Sequence, residues 1–291
     1  METMKTENIA VLLTCHNRKN KTVACLKSLY RSTIPSQYLI DIYLTDDGSS
    51  DNTSQTVSEL FPEIKLIKGD GQLFWAVGMR LAWKTAMERK SYDAFLLLND
   101  DVVLYPDFLL KLLETDAYAL ANTGKKGVYT GATIDCSSNK VTYGGSWVKN
   151  YFFVVRLKML SPVKRPQKCH ITNANILWVS KEVVKKIGIF DHHFTHGIAD
   201  YDYSMQATRK NIPVLLAPGI CGECDDDHGK NWRNSKNSLK DRIVYLRSPK
   251  GLAYSEYLYY VGKHFPMFLP YSYVMLWLKT FFPFIWERVK N

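Results

Sequence analysis

The chain predicts an α/β fold, a mostly parallel sheet flanked by helices, and three observations carry that expectation. Apolar runs alternate with amphipathic stretches through the first hundred residues, the pattern of βαβ units with right-handed crossovers. Several of those runs stop abruptly in polar, acid-rich clusters, as strands do at the rim of an open sheet. With 291 residues, 46% hydrophobic and 23% charged, the chain can bury a large core and has an ordinary folded composition.

Each element has its own signal. Ile9–Thr14 is a continuous apolar run, followed by a polar turn and an amphipathic stretch near Lys21–Arg31. Ile40–Thr45 is a second strand, ending in Asp46-Asp47-Gly48-Ser49-Ser50-Asp51. Ile64–Ile67 is a third, followed by a glycine-punctuated loop and a helical segment around Val77–Arg89. Ala94–Leu98 is a fourth, ending in Asn99-Asp100-Asp101 before a helix that Pro106 begins. The pattern then loosens. Gly127–Thr133 reads as a strand, Val141–Leu157 as a hairpin region and Ile171–Val179 as another strand. A short helix runs from Ser180 to a stop at Gly188, and a further helix covers Asp200–Lys210 before Pro213–Ala217.

The final forty-one residues change character: Gly251–Asn291 holds thirteen of the thirty-eight aromatics. Pro266, Pro270 and Pro283 interrupt the stretch, and the twelve residues between the last two are short of the roughly 20 that span a bilayer. Just before it, Lys230, Arg233, Lys236, Lys240, Arg242, Arg247 and Lys250 face one acid, Asp241. A basic block beside aromatic residues fits a segment lying on an anionic membrane surface. A helical pair packed on the main domain, or an oligomer contact, is the plainer reading. Residues 1–228 are thus one expected domain and 229–291 a basic, aromatic, helical extension.

Ile9–Leu13 is too short and too poorly flanked for a signal peptide. The six cysteines lack disulfide-framework spacing, so a cytoplasmic setting is expected, peripheral to the inner face of the cell membrane if the tail binds there. Cys221-Gly222-Glu223-Cys224 with His228 is weak as a zinc site, because no second ligand pair follows at finger spacing.

Three strand ends carry polar clusters: Thr14-Cys15-His16-Asn17-Arg18, Asp46-Asp47-Gly48-Ser49 and Asn99-Asp100-Asp101. A parallel sheet aligns them along one edge as a cleft. Turn and N-cap chemistry explains any one of them, but three in succession less comfortably. Adjacent acids repel unless a positive group sits between them, and a divalent cation is the usual answer. No G-x-G-x-x-G follows the first strand and no P-loop lysine motif occurs. Acids at the second strand end suit a base or ribose, and acids at the fourth suit a metal holding a diphosphate.

In that order the clusters resemble the family 2 glycosyltransferases, with the second extending as Thr45-Asp46-Asp47-Gly48-Ser49-Ser50-Asp51-Asn52-Thr53. Gly69–Met79 is similar to the segment these enzymes place over the nucleotide-sugar, and Gly188–Phe194 to the turn before their catalytic helix. The resemblance implies a GT-A fold, a nucleotide-sugar donor, Mg²⁺ or Mn²⁺, and inversion at the anomeric carbon. A glycan or lipid-linked glycan acceptor and a role in cell-surface polysaccharide synthesis go with it, and no nucleic acid is expected. Carried over by position, Asp46 contacts the base and Asp47 supports that loop. Thr14, Asn17, Arg18, Gly71, Trp75 and Asp100 join them around the donor. Asn99 stands first in the D-x-D-like triplet, so the metal role falls on Asp101, with His228 assisting at the metal or diphosphate.

The catalytic base of the family is an acid in a Glu-Asp pair. Here that pair reads Ala199-Asp200, so Asp200 is the expected base and Asp202 the alternative. Both acids could instead only favour a helix dipole. Asn173 and Asn175 are candidates for the acceptor side, and Trp75 could simply cover a helix. The rival readings are a sugar nucleotidyltransferase, a nucleic-acid-binding protein and an inactive family member. The first needs a glycine-rich loop after the first strand, and Thr14–Arg18 has no glycine.

Overall fold

The computed structural model describes residues 6–151, 154–225 and 237–287. The first half alternates as expected: β1 (Glu7–Cys15), α1 (Lys19–Tyr30), β2 (Tyr38–Asp46), α2 (Thr53–Leu60), β3 (Lys65–Lys68), α3 (Phe74–Arg89) and β4 (Ala94–Leu98). Next come β5 (Val103–Leu104), α4 (Phe108–Thr123), β6 (Val128–Ile134), β7 (Val141–Tyr143), β8 (Gly145–Tyr151) and β9 (Val154–Met159). They are followed by β10 (Gln167–Lys168), β11 (Ile171–Thr172), β12 (Ile176–Ser180), α5 (Lys181–Ile187), α6 (Ala199–Arg209) and β13 (Val214–Glu223). The tail forms α7 (Leu239–Arg247), α8 (Tyr254–His264), a 3₁₀ turn at Pro266–Phe268, α9 (Leu269–Phe281) and α10 (Phe284–Glu287).

The main sheet runs β10-β13-β6-β12-β4-β1-β2-β3, with β5 on β13 and β7 on β6. Strands β3, β2, β1 and β4 are parallel, β12 opposes both β4 and β6, and β13 again runs parallel to β6. A smaller sheet, β11-β8-β9, stands beside it. Strand β1 is apolar throughout because both of its faces are covered. Ala10 and Leu12 pack with Ala76, Trp83 and Tyr203, while Ile9, Val11 and Leu13 pack with Cys25, Leu26 and Phe108.

Two expectations change. The Ile171–Val179 run is not one strand: β11 belongs to the small sheet and β12 to the main one. Between them Asn173 hydrogen-bonds Gly144 through its backbone N–H, and the Ala174 N–H turns to the Asp200 carboxylate at 3.0 Å. These bonds take the backbone groups a continuous ladder would need. The helix expected from Pro106 begins at Phe108.

In the tail, Tyr260, Val261 and Phe265 join the core cluster of α3 and α6. Lys263 and His264 reach the fully buried Asp202 at 2.9 and 2.7 Å, and Arg209 donates to the His264 carbonyl. Helix α8 therefore packs on the main domain. Among the described residues no helix is long and apolar enough to cross a membrane.

Candidate active site

The register Thr14↔Thr45 between β1 and β2, with Leu12↔Leu97 between β1 and β4, releases three loops from one sheet edge. The first two are sewn together. The His16 Nδ1 lies 2.6 Å from the Asp47 carbonyl, which can only accept, so Nδ1 carries the proton. Nε2 then accepts from the Asn17 amide at 3.1 Å. Asn17 adopts φ +51°, its N–H donates to Ser49 Oγ at 2.9 Å, and its Oδ1 accepts from the Ser50 N–H at 2.7 Å. Asp46 is buried and accepts from the Ser49 N–H at 2.9 Å and from Ser54 Oγ. Its carboxylate holds its own turn.

Asp47 works on the next segment. Its Oδ1 accepts from the Gly71 N–H at 2.8 Å and its Oδ2 from the Phe74 N–H at 3.0 Å. Phe74, Trp75 and Ala76 open α3, and helix-start N–H groups have no partner inside the helix. Here Asp47 takes the first, His196 Nδ1 the second at 3.3 Å, and the Thr195 carbonyl the third at 3.1 Å. Glycine is required at Gly48, where φ is +67° and a Cβ would lie 2.9 Å from the Gly71 nitrogen. At Gly78 a Cβ would strike Thr14 Oγ1, so the buried Thr14 is what α3 rests on.

The third loop holds the acid pair. The Trp75 indole N–H donates to Asn99 Oδ1 at 2.8 Å, tying α3 to the triplet. The positive group between the acids is a side chain of the protein. Arg18 Nη1 lies 2.7 Å from Asp101 Oδ2 and 3.3 Å from Asp100 Oδ1. Thr22 Oγ1 donates to the other Asp100 oxygen at 3.0 Å. Burial raises the Asp100 pKa to about 6, with Arg18 pulling the other way and Asp101 adding to the rise. Cys224 Sγ approaches Asp101 Oδ1 at 3.7 Å. The carboxylate oxygens suit Mg²⁺ or Mn²⁺ by chemistry, and the Arg18 side chain beside them is 42% exposed.

Asp200 stands in the first turn of α6. Its Oδ2 accepts from the Ala174 N–H at 3.0 Å and its Oδ1 from the Tyr201 N–H at 2.9 Å. Burial lifts its pKa to about 6, opposed by those N–H groups. Asp202 points the other way, fully buried against Lys263, His264 and Gln206. Asn173 Nδ2 donates to the Tyr201 hydroxyl at 3.3 Å, beside Asp200. Asn175 is buried, its amide 3.4 Å from Cys224 Sγ, which places it under the acid pair. His228 lies outside the described residues.

Sequence spacing missed three participants. His196 has no motif of its own, yet it caps α3 and meets the Phe74 ring edge at 6.2 Å. Lys250, counted with the basic block, lies 6.0 Å from the Phe74 ring centre. Burial, Lys250 and Arg18 together hold the His196 imidazole below its usual range, so both cations lie near it. Glu256 of α8 accepts from the Thr195 N–H at 3.1 Å and from its hydroxyl, bracing the turn that caps α3. Asp191, His192 and His193 also cluster. The Asp191 carboxylate is already engaged by Lys263 at 2.8 Å and Tyr259 at 3.0 Å, which makes this a brace for α8.

Residues 10–188 match the family described as Glycosyl transferase family 2, and over more than half of its 291 residues the chain thereby belongs to that family. Asp200 lies beyond the matched segment. Curated proteins give no match. Among solved structures, the mannosyltransferase PcManGT from Pyrobaculum calidifontis, in complex with GDP-Man and Mn²⁺, is similar with TM-score 0.51 and 12% identity, over 84% of this chain and 62% of that one. TarS 1-349 of S. aureus in complex with UDP is similar with TM-score 0.52 and 13% identity, over 75% of this chain and 60% of that one. This chain thus spans about three-fifths of either neighbour's length. The shared architecture is the GT-A fold.

Proposed function

We propose that the protein is an inverting glycosyltransferase that moves a sugar from a nucleoside diphosphate to an acceptor hydroxyl. The observation that carries this is that two differently built acids hang on neighbouring backbone: Asp200 accepts from the Ala174 N–H at 3.0 Å, and the next carbonyl, of Asn175, accepts from the Asn99 N–H at 3.1 Å. Asp100–Asp101 sit at one strand end, neutralised by Arg18, and Asp200 stands at the start of α6 with its pKa raised to about 6. Family membership supports the reading.

In this scheme the β1 and β2 loops hold the nucleoside, with Thr14, Asn17, Asp46 and Asp47 shaping that pocket and Gly71 and Trp75 lying over it. Asp101 holds Mg²⁺ or Mn²⁺, and Asp100 faces the ribose or the sugar. The bound cation supplies charge neutralisation for the departing diphosphate. Arg18 is released from the acid pair and, with Lys250, faces the phosphate charge. Asp200, ionised above about pH 6, takes the proton of the acceptor hydroxyl as its oxygen attacks the anomeric carbon. Inversion follows from a single displacement, and no covalent enzyme intermediate is needed.

A donor screen with Mn²⁺ tests the reading, with nucleoside diphosphate release measured with and without lipid-linked acceptor. Turnover of one donor is expected, lost in Asp200→Asn. Asp101→Ala should abolish the metal-dependent part of donor binding. No release from any donor would remove the enzyme reading.

A second surface supports a peripheral membrane position. Tyr271, Val274, Leu278 and Phe281 recur at spacings of three, four and three along α9 and are all exposed, as are Phe282, Phe284 and Ile285 beyond it. With Lys279 on the same helix, this apolar face fits the interface of an anionic bilayer and an acceptor held there.

A further inference from the structure

Between Asp135 and Glu182 the sequence contains no acid, yet Lys140, Lys149, Arg156, Lys158, Lys164, Arg165 and Lys168 all fall there. All seven are exposed, and none is paired with a carboxylate among the described residues. Three belong to the β8–β9 ribbon, where register fixes their face. Lys149 stands opposite Arg156 and Trp147 opposite Lys158. Side chains alternate along a strand, so these four share one side of the ribbon. Like charges directly opposite destabilise an antiparallel pair, so folding alone gives no reason for Lys149 to face Arg156. Trp147 is half-buried, its ring held edge-on to His170 at a centroid distance of 4.4 Å. The result is an aromatic ring flanked by three unpaired cations.

The ribbon is rooted at the proposed base. Thr172 pairs with Gly145, the Asn173 N–H donates to the Gly144 carbonyl at 3.0 Å, and the next N–H, of Ala174, holds Asp200 at 3.0 Å. From Gly145 the strand carries Lys149 about 14 Å further out, at about 3.4 Å per residue.

We infer that this face of the β8–β9 ribbon binds an anionic glycan acceptor, with Trp147 against its sugar rings and Lys149, Arg156 and Lys158 against its phosphates or carboxylates. The inference rests on the glycosyl-transfer reading and names the acceptor class. A membrane or a nucleic acid would also meet the cations. Attachment to the backbone that positions Asp200 favours the chain whose hydroxyl reacts there.

The test measures binding of the full-length protein to a polyuronate oligosaccharide and to a phosphate-bridged glycan oligomer. Uncharged dextran of equal length, phosphatidylglycerol vesicles and a single-stranded oligonucleotide serve as comparisons. The charged glycans should bind at least about tenfold tighter than dextran, with an advantage that shrinks as salt rises. Lys149→Gln with Lys158→Gln should erase most of that advantage and leave UDP and GDP binding unchanged, and Lys149→Glu should reverse it. Trp147→Ala should weaken charged glycans and dextran alike. An intact nucleoside diphosphate site with no preference for charged glycans would overturn the inference alone. So would vesicles or oligonucleotide binding more tightly through the ribbon than the glycans do. A wild-type protein that binds no nucleoside diphosphate and transfers no sugar overturns the underlying reading instead.

Discussion

Asp200 illustrates how one residue sets activity against stability. Its raised pKa means that the folded state holds the proton more tightly than the unfolded chain does. Stability contributed at this site therefore falls as pH climbs from the ordinary carboxylate range through about 6, whereas base strength appears over the same interval. The rate of transfer should accordingly rise through about pH 6 and then level on its acid limb. Asp200→Asn should cost about 100-fold or more in kcat, the usual contribution of a general base. Its melting temperature should change little, because relief of the buried charge offsets the loss of one accepted hydrogen bond. An unchanged kcat would transfer the role elsewhere, and Asp202, enclosed by Lys263 and His264, is not placed to take it.

Arg18 makes a second prediction at the same scale. The adjacency of Asp100 and Asp101 made a positive neighbour necessary, and its nature could not be read from the strand end alone. The guanidinium comes from a loop 82 residues earlier in the chain, across the β1–β4 pairing. A cation binding Asp101 competes with it. Arg18→Met should therefore tighten Mn²⁺ binding in the absence of nucleotide while weakening nucleoside diphosphate binding, both measurable by calorimetry. If both affinities fell together, Arg18 would be organising the metal site rather than competing for it.

Elements explain why the cleft has its shape. The N-terminus of α3 is capped by Asp47 and, from far along the chain, by the adjacent Thr195 and His196. Asp47→Ala removes two hydrogen bonds to a carboxylate, at Gly71 and Phe74, and should cost about 3 kcal/mol in denaturant unfolding. Glu256→Ala touches no proposed ligand but frees the Thr195 turn. Loss of about 1 kcal/mol of preorganisation should raise donor KM about fivefold with kcat nearly unchanged. Periodicity found these elements because β1, β2 and β4 are buried on both faces and read as apolar runs. It could not find the caps, since a hydrogen bond from Trp75 to His196 leaves no spacing in the chain. The break at Asn173–Asn175 was hidden for a related reason. Apolar residues continue on either side of it, and only the Asp200 carboxylate and the Gly144 peptide divert the backbone.

At the scale of the whole molecule, the order of the strand-end clusters was legible because a parallel sheet converts sequence order into position along one edge. The tail was only half legible, because composition counts residues without assigning faces. Tyr260, Val261 and Phe265 turn inward to the core, Arg242 is buried and Lys250 lies over the Phe74 ring. Tyr271, Val274, Leu278 and Phe281 turn outward on α9. That outward stripe permits two occupants, an anionic bilayer or a second α9, and charge separates them. Phosphatidylglycerol vesicles should sediment the protein and phosphatidylcholine vesicles should not, with the difference shrinking as salt is raised. Val274→Glu with Leu278→Glu should release the protein from vesicles without altering nucleoside diphosphate affinity, since neither residue approaches the cleft. Dimers that dissociate on the same double substitution, with no vesicle binding by the wild type, would assign the stripe to self-association. The acceptor would then be reached from solution.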